Sequence, residues 1–188
     1  MGAVLVEYLD DAEPLTFEDV AVQCRIDDDD ERQFVERIVV PGARQAAENK
    51  SGAAIRKARY FERFAGFPAG EFPLSVGQVL SVESIASRDA LGATTKLDPG
   101  AYELIQLGRE SLLVLPTDVR LPSARAWTVT YQAGIEIDKY PSVRSWMLLA
   151  AAWAYDHREL FSEGQTIAPM PDGYADLLLD PITVPPRF

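Results

Sequence analysis

The spacing of apolar residues changes twice along this chain, and that change constrains the fold more than any single motif. From Thr16 to Gly52, and again after Pro141, apolar side chains recur at steps of three and four; between Ala53 and Gly134 they tend to alternate. Steps of three and four place side chains on one face of a helix, whereas alternation places them on one face of a strand. The pattern predicts an α+β fold. In it, N-terminal helices and a long C-terminal helix form a helical bundle, with a central antiparallel β insertion and an extended C-terminal tail. The corresponding boundaries are 1–52 for an acidic arm and helices, 53–138 for the β insertion, 139–162 for the C-terminal helix packing on the N-terminal ones, and 163–188 for the tail.

Residues 1–14 end at Pro14 and read as an arm or a short edge strand. Thr16 with Asp19 resembles a capping box and opens a short helix through about Cys24, whose Phe17, Val20, Ala21 and Cys24 share a face. Cys24 reads as a small core residue. The acidic run Asp27 to Glu31 precedes Phe34, Val35, Ile38 and Val39 at helical steps, where carboxylates favour a helix start. Pro41 should kink or interrupt that helix because it cannot donate to the carbonyl four residues back, and Ser51-Gly52 ends it. Strands are expected over Ile55 to Phe64, Val79 to Ser87, Tyr102 to Leu107, Ser111 to Leu115 and Trp127 to Gln132. After Pro141 a helix of about 20 residues is expected. Gly and Pro punctuate the chain from Ser162, with a short helix possible around Tyr174 to Leu179.

The charge is segregated. The chain carries −11, and Met1 to Glu31 holds eleven acids against Arg25 alone. Arg44, Lys50, Arg56, Lys57, Arg59 and Arg63 then face only Glu48 and Glu62. Two unlike surfaces suit head-to-tail contacts between copies; two solvated surfaces of a monomer explain the same pattern equally well. General nucleic-acid affinity is disfavoured, since phosphate contacts need clustered cations. The Arg56 to Arg63 segment, interleaved with Tyr60, Phe61 and Phe64, reads as a strand with charged outward positions. No run of about 20 apolar residues exists to span a bilayer.

Catalytic signatures are missing. No phosphate-binding, dinucleotide, nucleophile-elbow or zinc-protease motif occurs, and His157 is the one histidine. The Asp27 to Asp30 run invites a calcium reading, but an EF-hand loop starting there would put Arg32 and Ile38 where Gly and a carboxylate are needed. One thiol provides neither a disulfide nor a Cys-based zinc site. No enzyme, metal or cofactor is expected.

The order of segments adds a resemblance. Leu15-Thr16-x-Glu18-Asp19-Val20, Arg25-Ile26-Asp27-Asp28-Asp29-Asp30-Glu31, Ala43-Arg44-x-x-Ala47-Glu48 and Ser51-Gly52 are followed by Val82-x-x-Ile85, Leu97-Asp98 and Tyr102. Then come Val129-x-Tyr131-x-Ala133-Gly134 and Pro141 leading to Tyr155-x-x-Arg158-Glu159. Over residues 15 to about 161 this resembles the phage head-tail connector (adaptor) family of long-tailed phages and gene transfer agents. The resemblance implies a structural virion protein without catalytic residues, assembled in the host cytoplasm as a homo-oligomeric ring of about twelve copies. It would sit between portal and a stopper or tail-completion protein, around a channel for double-stranded DNA that is not bound sequence-specifically, with no membrane partner.

Subunit-interface candidates are then Asp27, Asp28, Asp29, Asp30, Arg44, Arg56, Arg59, Arg158 and Glu159. Leu177, Leu178, Leu179, Ile182, Val184 and Phe188 are candidates for docking the tail on portal or neighbour, with folding back on its own domain as the alternative. The competing class is a monomeric β-domain binding a small molecule near Trp127 and Tyr131.

Overall fold

The computed structural model describes residues 2–66, 70–115, 121, 124–158 and 173–185. The chain forms two compact units. One takes the described residues of 1–11, 52–135 and 184–188; the other takes those of 12–51 and 136–183.

The first unit is built from β1 (Val4–Tyr8), β2 (Ala58–Phe64), β3 (Gly70–Pro73), β4 (Val79–Arg88), β5 (Thr94–Lys96), β6 (Glu103–Leu107), β7 (Glu110–Leu115) and β8 (Ala126–Ala133). A five-stranded sheet runs β1-β2-β8-β4-β5 and a three-stranded sheet runs β3-β7-β6, with neighbouring strands antiparallel. β8 is central to the five-stranded sheet, and burial alternates along its whole length. Trp127, Val129, Tyr131 and Ala133 are buried, while Thr128, Thr130 and Gln132 are half-buried. Ile85 of β4 lies opposite Val129, and with Phe72, Leu74, Leu113 and Leu115 it completes one core shared by both sheets.

Leu107 pairs with Glu110 across a two-residue turn, in which Gly108 takes φ 61°. That left-handed conformation suits a residue without Cβ. Gly134 ends β8 for a different reason: a Cβ there would lie 2.7 Å from Lys57 Cα.

Two strands escape the alternation rule. β3 and β5 have four and three residues, too few for a period to show. β1 is an edge strand of the five-stranded sheet, with Val4, Leu5 and Val6 exposed.

The second unit holds α1 (Phe17–Cys24), α2 (Arg32–Phe34), a π-helical turn (Val35–Val39), α3 (Val40–Ser51), α4 (Pro141–Asp156) and α5 (Tyr174–Leu177). The capping box at α1 is complete: the Asp19 amide donates to Thr16 Oγ1 at 3.2 Å, and the Thr16 amide donates to Asp19 Oδ2 at 2.9 Å. α1 ends with Arg25 at φ 57°, where the Ile26 amide reaches back to the Ala21 carbonyl at 3.0 Å. Pro41 does not stop the helical path, since α3 runs through it to Ser51. The turn before it widens, so that the Val40 amide bonds the carbonyl of Val35, five residues back. A π-turn of this kind accommodates a residue that lacks a donor and crowds the carbonyl behind it.

The expected helical bundle built on a long C-terminal helix is not what forms. α4 has 16 residues, α3 has 12 and α1 has 8, and the two antiparallel sheets carry much of the chain. α4 stops because His157 leaves helical geometry at φ −115°, ψ 53°, its ring stacked on Trp153 at 4.8 Å. The apolar period runs on to Phe161, outside the described residues, so periodicity alone overextends the helix. The tail is not extended where it is described. Tyr174–Leu177 is helical, Leu179 and Ile182 are 1% and 0% exposed, and Thr183 Oγ1 donates to the Leu179 carbonyl at 2.9 Å. Apolar side chains in a Pro-rich terminus have been buried on their own chain, which removes about 1.5–3 kcal/mol each from water.

Candidate functional site

The charged residues decide what each unit can offer to a partner. In the second unit, Ile26 to Glu31 links α1 to α2 and carries the acidic run. Asp29 is held inside this turn by Arg32, whose Nη2 donates to Asp29 at 3.0 Å and Glu18 at 2.9 Å while Nη1 donates to Glu36 at 3.2 Å. The same guanidinium lies 4.1 Å from the Phe17 ring centroid. The backbone amide at Glu18 and the Arg32 guanidinium hold the Glu18 carboxyl below its ordinary value. Asp28 Oδ1 accepts from the Asp30 amide at 3.1 Å, shaping the turn. Asp27, Asp28 and Asp30 are exposed and form no ion pair among the described residues.

The arginines proposed as interface groups sit elsewhere. Arg44 is 2% exposed; its Nε and Nη2 donate to Glu13 at 2.7 and 3.2 Å, and its Nη1 donates to Glu48 at 2.7 Å. Arg158 Nη2 is 2.7 Å from Glu31, and its guanidinium covers Phe34 and Tyr155 at 4.4 and 4.5 Å. In the first unit Arg56 pairs with Asp10 at 3.2 Å and lies over Tyr8 at 4.2 Å. Arg59 bridges Glu7 and Glu83. The basic segment and the arm are thus already joined within the chain, which a charge count along the sequence cannot reveal. Glu159 and Phe188 lie outside the described residues. Of the tail candidates, Leu179 and Ile182 are buried, Leu178 and Val184 are half-buried, and Leu177 is 63% exposed. Val184 packs beside Gly77, where an added Cβ would come within 2.6 Å of Val184 Cγ2.

Asp19 couples the α1 cap to α4, with Arg144 Nη2 donating to Asp19 Oδ1 at 2.6 Å. Partial burial raises its carboxyl, but the Thr16 amide and Arg144 outweigh this and leave it below the usual aspartate value. Asp19→Ala is expected to cost about 1–2 kcal/mol through the lost bonds from the Thr16 amide and from Arg144, while the Thr16 Oγ1 bond, made to the Asp19 backbone amide, survives. The lowered value makes this stabilisation present above about pH 4 and lost as pH falls through the folded-state value. Urea denaturation at pH 7 and at pH 2.5 checks it: the gap between wild type and variant should close in acid.

The remaining chemistry-bearing groups have structural duties. His157 Nδ1 donates to the Trp153 carbonyl at 2.9 Å. Burial, reinforced by Asp156, raises the Cys24 thiol, so it is a poor nucleophile. Trp127 and Tyr131, near which the competing reading puts a small molecule, are core residues at 3% and 0% exposure. Tyr131 stacks on Tyr60 and its hydroxyl donates to Glu62. Among the described residues, no group of three or more His, Cys, Asp or Glu is placed to hold a metal ion, and no helix is long and apolar enough to cross a membrane. The positive residues that sequence reasoning missed are Arg88 and Arg125. They line a cleft of about 540 Å³ at the β4–β5 turn.

No family model and no curated protein matches the sequence. Solved structures do. The chain is similar to a chain in the neck of an empty gene transfer agent (GTA) particle computed with C6 symmetry, at 19% identity and a TM-score of 0.70. It is similar to one in the virion of a native GTA particle, at 17% and 0.72, and to one in the neck of a native GTA particle computed with C12 symmetry, at 16% and 0.66. Each likeness covers 100% of this chain and 98% of the other. At such identities what is shared is the fold, and it is shared from end to end.

Proposed function

We propose that the protein is a structural subunit of the head-tail neck of a phage or gene transfer agent, a connector that works by assembly rather than catalysis. The observation carrying this reading is the end-to-end fold likeness to neck and virion chains. It points the same way as the independent resemblance in segment order. In this reading about twelve copies form a ring between portal and stopper or tail-completion protein, in the virion, around double-stranded DNA. The net charge of −11 supports passage of that DNA, since a surface poor in uncompensated cations does not retain phosphates. Of the charged interface candidates, Asp27, Asp28 and Asp30 face a neighbour, whereas Arg44, Arg56, Arg59 and Arg158 brace each subunit. Leu177, the exposed member of the tail group, is the docking point that remains on the described tail.

The test is to add purified protein to DNA-filled capsids of its own particle that carry a portal and lack a neck. Electron microscopy should show a ring of added density at the portal vertex, and tail attachment should be restored. Protein that leaves the vertex bare and the tails unattached would exclude the reading.

A further inference from the structure

Six arginines of the described structure, Arg32, Arg44, Arg56, Arg59, Arg144 and Arg158, are ion-paired within the chain. Arg88 and Arg125 are exposed and form no ion pair among the described residues, yet they line one cleft. Strand pairing sets their positions. Arg88 is the last residue of β4, and its carbonyl accepts the Arg125 amide at 2.8 Å, just before β8 begins. The turn beyond is hydrogen-bonded to Asp89, which also lines the cleft: its Oδ1 accepts the amides of Leu91 and Ala93, both at 2.9 Å. Asp89 is therefore engaged with backbone, and the Arg88 guanidinium lies near Gly92. Leu91 stands at this tip, 95% exposed.

Two guanidinium groups beside an exposed leucine make a receptor for carboxylates carried on a partly apolar protein surface. The chain itself has that surface. Asp27, Asp28 and Asp30 form no ion pair among the described residues, and the elements before and after them present Val22 and Ile38 at 83% and 61% exposure.

We propose that the Arg88–Arg125 cleft of one copy receives the Asp27–Asp30 turn of a second copy, with Leu91 packing against the apolar side chains that flank the turn. The contact is heterologous, one patch meeting a different patch, the kind of contact that builds a ring when the rotation between copies closes. This rests on the ring reading above and gives it a specific joint. The exposed Leu91 beside the two guanidinium groups favours a protein occupant over DNA, because phosphates bring nothing apolar to pack against it, whereas the acidic turn is flanked by Val22 and Ile38.

The experiment compares the weight-average mass of the full chain by sedimentation in about 20 mM and about 500 mM salt, which span weak and strong screening. Wild type should self-associate in low salt and dissociate in high salt. Asp27→Lys with Asp30→Lys, and separately Arg88→Glu with Arg125→Glu, should each weaken association at least about tenfold without changing the thermal melt. Mixing the two variants should restore it to within about threefold, since reversed turn then meets reversed cleft. Association that neither reversal alters would overturn the joint and leave the ring reading standing. A wild type that stays monomeric in low salt would also overturn it, and the capsid-vertex experiment would judge the ring separately. Retention of double-stranded DNA that the cleft reversal abolishes, with self-association untouched, would assign the cleft to a polyanion instead.

Discussion

Arg44→Ala is expected to destabilise the isolated chain by about 3–5 kcal/mol, the usual cost of removing one partner from a buried ion pair. Arg44 is 2% exposed, and its carboxylate partners Glu13 and Glu48 are 17% and 16% exposed. Without the guanidinium, two negative charges with little access to water would face the space it leaves. The geometry raises the stakes, because Arg44 uses its Nε–Nη2 edge on Glu13 and its Nη1 on Glu48. Lysine keeps the charge but lacks the fork, so Arg44→Lys should recover only part of the loss. Urea denaturation of the monomer at two salt concentrations measures this. The loss should depend weakly on salt, as buried pairs are poorly screened. An unaffected monomer with defective assembly would instead make Arg44 a contact between copies.

That contrast shows which features the sequence makes legible. Alternation in β8 survives folding because each inward residue is apolar, and the capping box at Thr16 is local enough to be read from four residues. In the sequence Arg44 belongs to a basic segment, and nothing in its neighbourhood reveals that Glu13, 31 positions away, pairs with it. Arg56 and Arg59 repeat the lesson: Asp10 and Glu7 come from the N-terminal arm, which becomes edge strand β1 through pairing that no period announces. The end of α4 at His157 carries no Gly or Pro. It is set by backbone geometry and an aromatic stack, so the apolar period overshoots it. The Arg88–Arg125 cleft was invisible for the opposite reason, since two isolated arginines 37 positions apart in the sequence become neighbours only through the β4–β8 pairing. Local order is readable; long-range charge pairing is not.

The second large effect lies in the core of the sheet unit. Glu62 is 1% exposed and lies on the inward face of β2. Its carboxylate accepts the Ser75 amide at 2.7 Å, the Ser75 hydroxyl at 2.9 Å and the Tyr131 hydroxyl. Glu62→Ala would leave three donors without their acceptor and is expected to cost about 3–5 kcal/mol, at roughly 1–3 kcal/mol for each donor stranded away from water and less where the site relaxes. Tyr131→Phe removes one donor and leaves the Ser75 bonds, so about 1–2 kcal/mol is expected. The double variant should cost less than the sum of the two, because removing both ends of one bond strands nothing. Burial first, then the Glu62 charge, pushes the Tyr131 phenol well above its ordinary value. A raised folded-state value means stabilisation that is complete below about pH 10 and declines as pH rises beyond it, since the unfolded phenol ionises first. Melting temperature should therefore fall more steeply between about pH 10 and 11 in wild type than in Tyr131→Phe. Parallel alkaline profiles, or strictly additive losses, would mean that Glu62 is held by Ser75 alone.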